Sequence, residues 1–118
     1  MKKLILLTIC LFISFTAFSQ TTTSQAGAWN SGATWGGSVP TSGTNVVIAH
    51  DVTCNSEQTA GTMTVNSGIT LTVNTAGKLT ANGEVTNNGT IVVTGGENAS
   101  GSLIAKDASS FTYTYKLY

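Results

Sequence analysis

From Thr62 to Thr94 the large aliphatic residues keep a period of two. Met63, Val65, Ile69, Leu71, Val73, Leu79, Val85, Ile91 and Val93 all fall on odd positions, and Val92 alone falls on an even one. The even positions carry Thr62, Thr64, Thr70, Thr72, Thr80, Thr86, Thr90 and Thr94, interspersed with Asn66, Asn74, Asn82, Asn88, Lys78 and Glu84. Such alternation puts one row of side chains in a core and the other in solvent, which is strand geometry. A helix would scramble the parity within two turns. The interruptions Asn66-Ser67-Gly68, Asn74-Thr75-Ala76-Gly77, Asn82-Gly83 and Asn87-Asn88-Gly89 predict turns, because Asn and Gly tolerate positive φ. Parity survives each turn, so the chain bends while keeping the same face inward.

Two all-β architectures fit short strands with turns at these intervals. One is an antiparallel meander or β-sandwich, in which Asn82-Gly83 and Asn88-Gly89 would be tight hairpin turns. The other is a short parallel β-solenoid, in which each coil lies on the one before. The solenoid requires like residues to recur about one coil apart. At an offset of twenty, Val65 meets Val85, Leu71 meets Ile91, Val73 meets Val93 and Thr70 meets Thr90. The solenoid is therefore the expected fold. A lone coil with three or four inward aliphatics, at about 1.5–3 kcal/mol each, cannot offset the backbone entropy of its residues, about 1–2 kcal/mol apiece. Coils must stack and their ends must be capped.

The segment Trp29-Asn30-Ser31-Gly32-Ala33-Thr34-Trp35-Gly36-Gly37-Ser38-Val39-Pro40, followed by Gly43-Thr44-Asn45-Val46-Val47-Ile48, bears on the capping. It resembles the opening of bacterial secreted adhesin-like β-helix proteins, and of the eight-glycine domain of extracellular β-helix proteins, which share a Trp, a Gly-x-Pro-like turn and a Val-Val-Ile strand. The resemblance spans about residues 28–96 and implies a right-handed parallel β-helix on a surface protein. Read physically, Trp29 and Trp35 cover the open apolar end of the first coil, and Val39-Pro40 stops pairing on that side. The competing reading makes the two indoles a sugar-stacking surface.

Residues 1–19 have the three parts of a secretory signal peptide: Lys2-Lys3, an apolar stretch from Leu4 to Phe18, and Ala17-Phe18-Ser19 before a cut at Gln20. At about 1.5 Å per residue that stretch falls short of a bilayer's roughly 30 Å hydrocarbon layer, so no membrane span is expected in the mature chain. The expected organisation is a signal peptide over 1–19, a capping segment over 20–45, solenoid coils over 46–105 and a terminal strand over 106–118. In that last segment Phe111, Tyr113, Tyr115 and Leu117 alternate on one face, and the pattern reads as the start of a longer chain's continuation.

Residues 20–118 hold 19 Thr, 10 Ser, 9 Asn and 13 Gly, against three Lys, five acids and no Arg. The net charge of −2 cannot neutralise a row of phosphates, so no nucleic acid is expected as partner. Cys54 is the only mature cysteine and reads as a small buried hydrophobe on a strand rather than a nucleophile. One histidine, His50, in a turn with Asp51, is too few for a zinc cluster. The acids are spaced too far apart in sequence for a glycosidase pair. Neither catalytic residues, nor a cofactor, nor a metal is expected. The outward Thr and Asn rows form a flat, nearly neutral hydrogen-bonding surface suited to sugar polymers or a neighbouring protein, although solvated strands favour Thr in any case.

The expected function is a noncatalytic secreted or cell-surface module, scaffold or adhesin-like. Its partner would be an extracellular glycan or surface protein, with Trp29, Trp35, Tyr113 and Tyr115 as candidate contacts. The alternative is that these are the leading coils of a polysaccharide-active β-helix enzyme whose catalytic residues lie outside this chain.

Overall fold

The computed structural model describes residues 20–96, 100–110 and 114–117 of the chain. The expected signal peptide and Tyr113 lie outside these residues. The strands in chain order are β1 (Gln20–Thr22), β2 (Gly27–Ala28), β3 (Asn45–Ile48), β4 (Val52–Cys54), β5 (Glu57–Ala60), β6 (Met63–Val65), β7 (Thr70–Val73), β8 (Lys78–Asn87), β9 (Thr90–Gly95), β10 (Ser102–Ser110) and β11 (Thr114–Leu117). A short 3₁₀ helix occupies Gly32–Trp35.

All pairings between these strands are parallel. Parallel neighbours need a crossover, and here each crossover is the rest of one coil. The order β1-β3-β6-β8-β10 forms one sheet, with β5 also pairing to β8, and β11-β9-β7-β4-β2 forms the other. The chain is a β-solenoid of about four turns, and the antiparallel alternative is excluded.

Each coil has three sides. In the second coil they are β3, β4 and β5; in the third they are β6, β7 and the first half of β8. The first coil has β1 and β2, and its third side is replaced by the segment carrying the 3₁₀ helix. Among the described residues, sheet pairing therefore starts at Gln20, inside the expected capping segment. It continues through β10 and β11, across the expected boundary at 105.

The inward side chains stack in columns: Val46–Met63–Val85 on the first side, Val52–Leu71–Ile91 and Cys54–Val73–Val93 on the second, and Ala60–Ala81–Ala105 on the third. Of the ten aliphatics between Thr62 and Thr94, all but Ile69 and Val92 are buried. Val92 is the one even member, and it stands in an outward row beside Thr72.

The expected pairs Leu71–Ile91, Val73–Val93 and Thr70–Thr90 are present. Val65 and Val85 do not pair, however: Val65 lies opposite Asn87, and Val85 opposite Met63. The coil carries two extra residues at this point: the β5–β8 pairing is already one residue beyond an offset of twenty, and one more enters at Asn82-Gly83, which is not a turn. It lies within β8, which bends round the corner between two sides without leaving the sheet, and the Gly83 N–H donates to the Gly61 carbonyl (3.0 Å). Both are recovered at the next corner, where two residues (88–89) do the work of four (66–69). The slip is even, so Val65 and Val85 both stay in the core.

Candidate functional site

The opening segment folds over the end of the coil. The Trp29 N–H donates to the Thr53 carbonyl (2.8 Å), which continues the β2–β4 ladder and sets Trp29 over the Cys54 column. Gly36, with φ +72°, terminates the 3₁₀ helix in the left-handed region, directly after Trp35. Trp35 Nε1 donates to the Trp29 carbonyl (2.7 Å), and the rings meet edge to face at 4.8 Å. Thr34 Oγ1 donates to the Ala28 carbonyl (2.8 Å). Trp29 is 0% and Trp35 4% exposed, both within the hydrophobic core cluster, with Val39 packed against it. Neither indole offers a ring face to solvent, which corrects the sugar-stacking reading. They are the lid of the coil. Tyr115 takes the position in β11 opposite Val93.

With the indoles inside, the surface available for contact is the outward rows. Thr64 and Thr86 stand in line on the first side, Thr53 and Thr72 as well as Thr70 and Thr90 on the second, and Thr59 and Thr80 on the third. The rows repeat about 4.8 Å apart along the coil axis and about 6.6 Å along each strand. The third side also bears the exposed Ile104 and the ion pair of Lys78 Nζ with Glu57 at 3.7 Å. That pair is exposed and contributes little to stability.

At the corners, side chains take up backbone groups that the bends leave unpaired. Asp51 Oδ1 accepts the Thr70 N–H (2.8 Å) and Asn45 Oδ1 accepts the Thr62 N–H (3.0 Å). Asn74 Nδ2 donates to Asn55 Oδ1 (2.6 Å), so two asparagines stack between coils. Buried Thr23 accepts the Ala49 N–H at Oγ1 (2.9 Å) and pairs with His50 Nδ1 (3.0 Å), which ties the end of β1 to the next coil. These roles escape a reading of parity, although an Asx residue about one coil before a strand start, as at Asp51 and Thr70, is a signal that could be searched for.

Cys54 is fully buried, and its Sγ donates to the Ser56 carbonyl (3.2 Å). Burial pushes the thiol above its ordinary value, partly offset by backbone hydrogen bonds at Ser56 and Lys78. A neutral, covered thiol is core filling. Among the described residues no group of three or more His, Cys, Asp or Glu side chains is placed to hold a metal ion, and no helix is long and apolar enough to cross a membrane. Comparison with protein-family models, with curated proteins and with solved structures finds no match to this chain.

Proposed function

We propose that this chain is a noncatalytic module of the secreted or cell-surface compartment, a rigid adhesin-like scaffold whose flat faces meet neutral polysaccharide. The observation that carries this reading is the composition of the outward rows. Hydroxyls and amides repeat at the coil spacing, while Asp51 is spent on the Thr70 N–H and Glu57 on Lys78. Such a face loses little solvation on meeting a neutral, hydroxyl-rich polymer, and its few charges are scattered rather than gathered into a patch that would draw an ionic one. The signal-peptide pattern of residues 1–19 supplies the compartment.

The test is a glycan array probed with the secreted chain at two ionic strengths, together with protease accessibility on intact producing cells. Weak retention on neutral polysaccharides that salt does not diminish is expected, because uncharged contacts are not screened. Turnover of any polysaccharide, or binding only to anionic glycans and only at low salt, would contradict the reading.

A further inference from the structure

We infer that Gln20 is a modification site: once the leader is removed, its side chain closes on its own α-amine to form pyroglutamate, so that the mature chain begins with an uncharged lactam. The inference rests on the secretion reading above, with the cut between Ser19 and Gln20.

The chemistry is intramolecular aminolysis. The α-nitrogen attacks Cδ of the side-chain amide, a C–N bond forms in a five-membered ring, the bond to the amide nitrogen breaks, and ammonia leaves. No oxidant or second substrate is consumed. Two conditions must hold: the residue must be reachable, and the fold must not need its N–H.

Both conditions are met. Gln20 is exposed, and it is the first residue of β1, the terminal strand of its sheet. Among the described residues the strand pairs on one side only, with β3, where Gln20 lies opposite Asn45. The Thr23 N–H donates to the Val47 carbonyl (3.0 Å). In a parallel ladder donors face a given neighbour on alternate residues, so Thr21 also points its N–H to β3 and Gln20 points its nitrogen to the open side. Ring closure therefore costs the sheet no hydrogen bond. It also removes an ammonium from the sheet edge and the free amine that an aminopeptidase requires.

The experiment is mass spectrometry of the N-terminal peptide of the full chain after passage through a bacterial secretory route, alongside Gln20→Ser. The expected peptide starts at residue 20, is one ammonia lighter than the glutamine form, and resists aminopeptidase. The Gln20→Ser peptide is expected to start at the same position with a free amine and to be trimmed. A peptide that starts at an intact, aminopeptidase-sensitive Gln20 overturns the proposal and leaves the secretion reading standing. A peptide that starts elsewhere overturns the proposal together with the assigned cut.

Discussion

Gly77 and Gly89 sit where one coil rests on the backbone of its neighbour. A Cβ on Gly77 would run into the Cys54 carbonyl oxygen, and one on Gly89 into the carbonyl oxygens of Asn66 and Ile69. Of the glycines in the four expected turns only Gly68 has a positive φ, +77°. At Gly77 and Gly89 it is close approach, not left-handed backbone, that excludes a side chain, and this could not be told from the Asn-Gly spelling. Gly89→Ala is thus expected to cost about 1–3 kcal/mol in denaturant unfolding. Gly43→Ala, where the added methyl meets open space, is expected to stay within about 0.5 kcal/mol. Cys54 makes a second prediction at this scale. Because burial raises its thiol pKa in the folded state, the fold holds that proton more tightly than the unfolded chain does. Its contribution is fully present below the ordinary thiol range and is lost as pH rises through and above it. The alkaline fall in stability measured for the wild type should be smaller in Cys54→Val, whereas an equal fall in both would show that the thiol is not its source.

At the scale of elements, β6 and β7 were legible because one face of each is buried and the other half-exposed, so parity carries the burial directly, whereas in β9 the even Thr94 is buried as well. Leu71→Ala, in the middle of the Val52–Leu71–Ile91 column, is expected to cost about 2–5 kcal/mol, while Thr72→Val, its outward neighbour, should change little. The register of β8 was not legible. Asn-Gly reads as a hairpin turn from local preference, and only pairing with β5, β6 and β10 holds it as a bend in a continuous strand. The lid was legible as a cap from its two tryptophans, but its inner hydrogen bonds were not. Trp35→Phe keeps most of the buried area and loses the bond to the Trp29 carbonyl, so thermal unfolding should find it between the wild type and Trp35→Ala. The alanine variant is expected to lose about 3–5 kcal/mol. Equal stability of the three would mean that the end of the coil is not closed by this ring.

Taken whole, the molecule is a stack in which each coil touches chiefly the coil before and the coil after, with one core running through all of them. Stability then grows by neighbour contacts, and the first coil depends on its lid to cover the side turned away from the second coil. The proposed function belongs to this scale too. A short, rigid stack presents flat rows of hydroxyls at fixed spacing, with its tryptophans spent on closing one end. Everything rests on parallel stacking in register, and methyl–methyl nuclear Overhauser contacts in an isotopically labelled chain test that most directly. Contacts between Leu71 and Ile91, Val52 and Leu71, Ala60 and Ala81, and Met63 and Val85 are predicted together. If those pairs are silent, and contacts mirror instead about Asn82-Gly83, joining Thr80 to Val85 and Leu79 to Thr86 as a hairpin would, the stacked-coil account is wrong.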